Sequence, residues 1–163
     1  MNAQAESGGT PQSIFAVLLT QENGDHLLLP NVAVLEVGNI YHAPAGAEPA
    51  RWLRGTVDHD GIAVPALDLE QLNAGGSSEA RRARPVFVQT YGRLLQHPVI
   101  ALLCRGHPHL VDVESTALSP EPLGSRDRDD LVLSRVRLGN TVAMIPDLHT
   151  IEAELARAGV AAR

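Results

Sequence analysis

Apolar residues along this chain come in short unbroken runs closed by turn residues, a spacing that predicts strands. Ser13 to Thr20 (SIFAVLLT) reads as one buried strand. Gln21 to Asp25 interrupts it with Asn23-Gly24, a strong hairpin signal, and His26 to Pro30 returns as its partner. Asn31 is placed to cap one short helical turn before the chain extends from Val37 to His42. Ala43 to Pro49 (APAGAEP) has the composition of a loop. A second hairpin follows, with Gly55 to Val57 and Ile62 to Leu67 closed around Asp58-His59-Asp60-Gly61. Gly61 there can take the positive φ that such a turn needs. Asp68 is then placed to cap a short helix, Leu69 to Leu72, and Asn73 to Arg84 (NAGGSSEARRAR) reads as a linker ending in a basic run.

The second half repeats the plan. Pro85 to Thr90 and His97 to Cys104 are expected as strands joined around Tyr91-Gly92-Arg93, with His109 to Val113 a shorter one. Ser115 to Asp130 reads as a solvated loop ending in Arg126-Asp127-Arg128-Asp129-Asp130. Val132 to Leu138 alternates apolar and polar residues, Gly139-Asn140 turns the chain, and Thr141 to Ile145 returns it. Asp147 caps a last helix through Arg157, whose Leu148, Ile151 and Leu155 share one face. Ala66-Leu67-Asp68-Leu69 and Ile145-Pro146-Asp147-Leu148 thus echo one another at the ends of the two halves. About five short strands per half cover their apolar faces only by curling into small barrels, and no long crossover helices exist for an open α/β sheet.

Composition narrows the partners. With 13 basic and 19 acidic side chains the formal charge is −6, which argues against nucleic acid or an anionic lipid surface. Aromatic residues are 3% of the chain, too few for a base-stacking platform. One cysteine, Cys104, rules out an intrachain disulfide and fits a reducing compartment. No apolar stretch approaches the roughly 20 residues that cross a bilayer, and MNAQAESGGTPQ lacks the form of a signal peptide, so a cytoplasmic location is expected.

Three places could carry chemistry. Asp58-His59-Asp60 combines metal-ligating groups, but neighbours on a tight turn point apart, so an exposed turn with a contact role is expected. His107-Pro108-His109 has the His-x-His form without a third ligand nearby in sequence. Cys104 ends an apolar strand, where cysteine is usually a small buried hydrophobe. Asp68 and Asp147 resemble paired carboxylates, yet both stand where a helix needs a cap. The expectation is no catalytic residue, no metal and no cofactor. Trp52 beside the glycine turn is either core or an anchor for a partner.

These segments together resemble a known family. Gly55-x-Val57-Asp58-x-x-Gly61-x-x-Val64-Pro65-x-x-Asp68-Leu69 is similar to the signature of CheW-like domains, where a Gly-x-x-Asn-Leu-Arg-Gly turn leads into Val-Pro-x-x-Asp-Leu. Leu29 to Val37 resembles the family's early segment, with Glu36 at its usual glutamate. Val99 to Val113 resembles the second-lobe hairpin, and Arg137 to Leu155 the closing strand and helix. The resemblance spans roughly residues 13 to 155 and rests on the order and spacing of the motifs. The opening Leu27-Leu28-Leu29-Pro30-Asn31-Val32-Ala33-Val34 and Trp52-Leu53-x-Gly55 are most similar to the ChpC branch, from chemosensory systems controlling type IV pili and twitching motility.

The resemblance implies a mainly β, CheW-like fold of two SH3-like five-stranded β-barrel lobes with short helices and a C-terminal helix. Its boundaries would be a disordered 1–12, then a single domain over 13–158, with lobe one about 13–72, a linker 73–84, lobe two about 85–146 and a C-terminal helix 147–158. It implies a non-catalytic adaptor, with a histidine kinase regulatory domain and a chemoreceptor cytoplasmic tip as partners, recruited to membrane-associated receptor arrays without inserting. Matched positions give Val34, Glu36, Asp58, Asp60 and Gly61 as contacts, with Trp52 and His59 beside them. Gly55, Pro65, Asp68 and Asp147 would serve backbone shape and capping. One departure stands out, because Asp60 replaces the family arginine and reverses the charge of the turn. That leaves two other readings open, a CheW-fold adaptor for a polar-localisation or pilus-regulatory client, and a small metal-binding protein or enzyme using His and Asp. His59 also introduces a possible pH sensitivity near neutrality.

Overall fold

Several strands of this protein are buried on both faces, which is why they read as unbroken apolar runs instead of alternating ones. The computed structural model describes residues 14–113 and 118–160; the expected disordered segment 1–12 lies outside them, as does the start of the expected loop at 115–117. In chain order the elements are β1 (Ile14–Thr20), β2 (His26–Pro30), a 3-10 turn (Asn31–Ala33), β3 (Val34–Val37), β4 (Tyr41–Ala43), β5 (Leu53–His59) and β6 (Ile62–Leu67). They continue with α1 (Leu69–Ala74), β7 (Arg81–Gln89), β8 (Val99–Val113), β9 (Leu118–Glu121), β10 (Val132–Leu138), β11 (Thr141–Pro146) and α2 (Leu148–Arg157). The fold is mainly β with a C-terminal helix, as expected.

Side-chain alternation sorts one strand between two cores. In β8, Val99, Ala101 and Leu103 join Phe87, Val64 and Ala66 in one cluster. Ile100, Leu102 and Cys104 point the other way, into a central cluster with Val17, Leu19, Leu27, Leu29, Val86 and Val88. Ala16, Leu28, Val113, Val136 and Ala143 form a third cluster. Each curled sheet therefore holds a small core of its own, and the largest core fills the space between the sheets. Leu69 and Leu72 of α1 and Leu148, Ile151 and Leu155 of α2 close that central core. At about 1.5–3 kcal/mol for each fully buried Leu or Ile, this shared core is the main tie between the sheets.

Strand pairing divides the molecule differently from chain order. The hairpin β1–β2 pairs through β1 with the second half of β8 and, in parallel, through β2 with β11. The hairpin β7–β8 pairs with β3 and β4, and in parallel with β6. The echo read from sequence is real, since each half runs hairpin, one or two short strands, hairpin, helix, but the halves have exchanged their leading hairpins. One sheet unit comprises β3 to β7 with Val99–Cys104 of β8. The other comprises β1, β2 and β9 to β11 with the rest of β8.

Several boundaries move from expectation. The segment 73–84 is not all linker, because α1 continues to Ala74 and β7 starts at Arg81. The strands expected at His97–Cys104 and His109–Val113 are one 15-residue β8. Gly106 at φ +70° and a register shift opposite Leu18 and Thr20 absorb the Gly106-His107-Pro108 irregularity as a bulge instead of a break. Leu118–Glu121, expected within a loop, pairs with β10. Asn31 is the first residue of its 3-10 turn, with Pro30 in the cap position.

Candidate functional site

The β5–β6 turn is tighter than the four residues expected. Asp60 and Gly61 alone form it, with φ +52° and +81°, while His59 and Ile62 pair across its base. Two successive positive φ values make a type I′ turn, which suits Asp-Gly. The Gly61 N–H donates to Asp58 Oδ1 at 3.3 Å. Asp58, Asp60 and Gly61 are exposed. Asp60 is thus favoured by backbone conformation as well as being a charge, because Asp tolerates the left-handed region better than Arg does.

His59 is the main correction at this site. Its side chain is only 12% exposed, with the ring 4.6 Å from that of Phe87 and inclined at 34°. Its Nε2 lies 4.0 Å from Glu36 Oε2. It packs against the sheet's inner ring where an exposed contact was expected, and it joins β5 to β3 across a gap that no backbone ladder closes. Tyr41 makes a second such link, its hydroxyl donating to the Arg54 carbonyl at 2.9 Å.

Glu36 lies on β3, a strand paired on one side only, with β7. The pairing slips by one residue between Val34 and Glu36, so Leu35 sits in a bulge. Val34 is half-buried against the central core, while Leu35, Glu36 and Val37 are exposed, as is Ile62 beside the turn. Trp52 does not join this group. It packs half-buried on the central core at the opposite end of β5, roughly 23 Å away for seven residues at about 3.3 Å each. Its carbonyl accepts from the Asp68 N–H at 2.8 Å.

Gly55, Pro65, Asp68 and Asp147 occupy a bulge, a mid-strand position and two helix caps. Gly55 occupies a bulge in β5, between Leu53 opposite Leu67 and Thr56 opposite Pro65, at φ +85°. A Cβ there would come within 2.8 Å of the Tyr41 hydroxyl. Pro65 falls just before β6 begins its parallel pairing with β8 at Ala66, where no ladder N–H is required. Asp68 caps α1 by accepting from the Gln71 N–H at 3.1 Å, and Asp147 caps α2 by accepting from the His149 N–H at 2.9 Å.

Three charged clusters were missed from sequence. The bulge at Gly55 turns Arg54 inward, where it is fully buried. Its guanidinium donates to Asp68 Oδ2 at 3.3 Å, to the Pro44 carbonyl at 2.7 Å and to the Glu79 carbonyl. Arg81 reaches the same Asp68 oxygen at 3.1 Å. Burial lowers the Arg54 pKa from its ordinary value, with Asp68 opposing and Arg81 adding to the fall. The second cluster lies in the expected solvated loop. Asp127 is bound by Arg135 at 2.5 and 2.6 Å, by Asn73 of α1 at 2.9 Å and by the Gly124 N–H at 2.6 Å. The Arg135 hydrogen bonds hold its carboxyl far below the usual range despite burial. In the third cluster, buried Glu152 accepts from the N–H groups of Gly92, Arg93 and Leu94 at 2.6, 3.2 and 3.0 Å, fixing the β7–β8 connection to α2. Burial raises the Glu152 pKa, but the hydrogen bonds that the carboxylate accepts outweigh it, so the net shift is downward.

Cys104 is buried and its thiol is pushed up to about 12 by desolvation, which leaves it inert at neutral pH. Among the described residues no three His, Cys, Asp or Glu side chains are grouped to hold a metal ion. No helix among them is long and apolar enough to cross a membrane.

The comparisons fit this geometry. A family model described as a CheW-like domain matches residues 16–155. No curated protein sequence matches the chain. Among solved structures, the scaffolding protein TtCheW from Thermoanaerobacter tengcongensis aligns with a TM-score of 0.67 at 16% identity, covering 88% of this chain and 90% of that one. At that identity the likeness is one of fold.

Proposed function

The chain belongs to the CheW-like domain family, and on that premise we propose that it is a non-catalytic chemosensory adaptor coupling chemoreceptors to a CheA-type histidine kinase. The observation that supports this most is the exposed end of the first sheet unit. There the one-sided strand β3 exposes Leu35, Glu36 and Val37, and the adjoining hairpin exposes Asp58, Asp60, Gly61 and Ile62. Exposed aliphatic side chains rimmed by acids suit a protein contact better than turnover of a small molecule. Val34 backs this surface from the core side. Residues 13–158 act as one domain in this reading, because the exchanged hairpins give the two units a common core.

An adaptor of this kind works by proximity, holding kinase and receptor together so that binding at one surface raises the effective concentration at the other. The kinase regulatory domain would meet the β3 edge, and the receptor tip a second surface. Within the family we place the chain with the ChpC branch, serving type IV pili and twitching motility. It would act in the cytoplasm and be recruited to receptor arrays.

The test mixes the purified chain with the regulatory domain of the CheA-type kinase and the receptor cytoplasmic fragment from the same cell. Co-sedimentation of all three, together with altered kinase autophosphorylation, is the expected result. Failure of both pairwise contacts would overturn the coupling role, and stoichiometric zinc in the purified protein would favour the metal-binding alternative. Deleting the gene should abolish twitching; unchanged twitching removes the branch assignment alone. The acid at position 60 supports a second reading, the same fold serving a different client, because it would repel a carboxylate that the family arginine attracts. Binding of a pilus-regulatory protein in place of the kinase would select it.

A further inference from the structure

Beside the Asn73–Asp127–Arg135 contacts lies a polar hollow of about 260 Å³ that the proposed adaptor surface does not use. The β1–β2 turn supplies Gln21, Asn23 and Asp25 to it, α1 supplies Glu70, and the segment before β10 supplies Arg126 and Asp127. The turn is fixed by its own backbone: the Gln21 N–H donates to the Asp25 carbonyl at 2.7 Å, and the Gly24 N–H to that of Gln21 at 3.0 Å. Asn23 ties the two outer carboxylates together. Its backbone N–H donates to Glu70 Oε2 at 3.1 Å and its side-chain amide to Asp25 Oδ2 at 3.0 Å. Each carboxylate keeps its other oxygen free, and neither forms an ion pair among the described residues. Gln21 adds a third acceptor. It is only 5% exposed, and its buried Oε1 has no hydrogen-bond partner among the described residues. Such orphans are rare in folded proteins, and one lining a hollow points to a donor from outside the chain. Burial raises the Glu70 pKa against the pull of the Asn23 hydrogen bond, and the charges of Asp68 and Asp25 add to the rise. Glu70 is a carboxylate short of a counter-charge.

Charge and donor count together say what would fill the hollow. Asp127 is already neutralised by Arg135 at 2.5 and 2.6 Å, and Arg126 donates to the Ala74 carbonyl at 3.0 Å. Setting Asp25 and Glu70 against Arg126 leaves one net negative charge. A metal ion is a poor match, because no three His, Cys, Asp or Glu side chains of the described residues are grouped for one. Arg126 would also repel a second positive charge. A primary ammonium brings one charge and three N–H donors, equal in number to the three free acceptors. We propose that this hollow binds a small molecule through a primary ammonium group, held by Asp25, Glu70 and Gln21 in charge-assisted hydrogen bonds. A plain amine would use the ammonium alone, while an amino acid would also turn its carboxylate towards Arg126. The bound molecule would bridge the β1–β2 turn of one sheet unit and α1 of the other.

The test is an NMR titration of the full chain at constant ionic strength with propylamine and with β-alanine. Two controls run beside them: propionate, which lacks the ammonium, and tetramethylammonium, which has the charge without N–H donors. Ligands of so few atoms bind weakly, so the titration runs to about 50 mM. The expected result is saturable amide shifts centred on Gln21, Asn23, Asp25 and Glu70 with propylamine or β-alanine, none there with propionate, and binding about tenfold weaker or less with tetramethylammonium. Tighter binding of β-alanine assigns an amino acid, and tighter binding of propylamine a plain amine; either supports the ammonium site. E70Q and D25N each keep an acceptor for Asn23 and should weaken binding about fivefold or more, once circular dichroism shows them folded. D25N lies in an exposed turn and tests the same point if E70Q disturbs α1. Shifts centred elsewhere, an equal response to tetramethylammonium, unchanged affinity in the folded variants or no response by the end of the titration would each overturn the proposal. So would tighter binding of calcium ion than of either amine, which would make the hollow a metal site. No kinase or receptor is present, so the outcome is read independently of the adaptor role.

Discussion

Asp68 and Asp147 occupy matching places in the repeated plan, and their difference gives a controlled measurement. Both follow the last strand of a hairpin, both donate their own N–H to a carbonyl (of Trp52 at 2.8 Å and of Leu131 at 2.7 Å), and both cap a helix. Only Asp68 also neutralises a fully buried guanidinium, that of Arg54, with Arg81 sharing the same oxygen. Replacing either with Asn keeps a good capping oxygen, since Asn and Asp rank together as N-caps. Asp147→Asn should therefore cost under about 0.5 kcal/mol, the usual range for a surface substitution. Asp68→Asn leaves Arg54 charged, buried and without a carboxylate, a loss of about 3–5 kcal/mol for breaking a buried pair. The lower end is expected, because the Pro44 and Glu79 carbonyls still accept from the guanidinium. At about 2–4 °C per kcal/mol for a chain of this length, Tm should fall by roughly 6–12 °C.

Urea unfolding followed by the fluorescence of Trp52, the chain's single tryptophan, gives both free energies under one set of conditions. The double change Arg54→Met with Asp68→Asn should recover part of the loss, since it removes the stranded charge. Equal costs for Asp68→Asn and Asp147→Asn would refute the argument. They would mean that Asp68 serves as a cap and nothing more.

Asp127→Asn should cost roughly 2–3 kcal/mol at neutral pH, since hydrogen bonds to a charged group are worth about 1.5–3. Because the folded carboxyl titrates far below its unfolded value, that stabilisation is complete above about pH 4 and fades only as pH falls well below it. Urea midpoints for parent and variant should run parallel from pH 7 to about pH 5 and converge in stronger acid; a constant gap into acid would show that charge is not the cause. Glu152→Gln keeps one acceptor oxygen for three N–H groups, so hydrogen exchange should accelerate at Gly92, Arg93 and Leu94 first, and uniform acceleration across the chain would count against a local anchor. Asp60→Arg forces a longer side chain into φ +52° and should lose about 1 kcal/mol, while Asp60→Asn should lose almost none. If Asp60 contacts a partner, both variants change affinity in a kinase-binding titration; if only Arg does, strain at the turn accounts for the effect.

Strands and turns were legible here because their signals are local. Asn23-Gly24, Asp60-Gly61 and Gly139-Asn140 all turn hairpins, and the caps Asp68 and Asp147 stand where the sequence places them. The hairpin exchange was not legible, because alternation in β1 tells which faces of Val17 and Leu19 are buried but not which strand lies beside them. At the site, Glu36, Asp58 and Asp60 are exposed, whereas His59 turned inward on Phe87 through pairing with a strand far along the chain. Arg54 reads as an exposed charge until Asp68 and Arg81, 14 and 27 positions on, converge upon it. Arg126 to Asp130 reads as a solvated run until Asn73 and Arg135 arrive.

The exchange also bears on how such an adaptor can work. β8 belongs to both sheet units as one continuous strand of 15 residues, about 50 Å long at 3.3 Å per residue. The central core draws side chains from both units and from both helices. A hinge between the units would have to break β8 and expose Leu19, Leu29, Leu102 and Ile151 at once, at about 1.5–3 kcal/mol each. The Asn73–Asp127–Arg135 bridge, linking α1 of one unit to β10 of the other, adds to that barrier. Surfaces on the two units are thus held at a fixed spacing. A partner bound on one cannot signal to the other by swinging the units, so the coupling between partners must come from their being held together, which depends on occupancy and on the geometry of this frame.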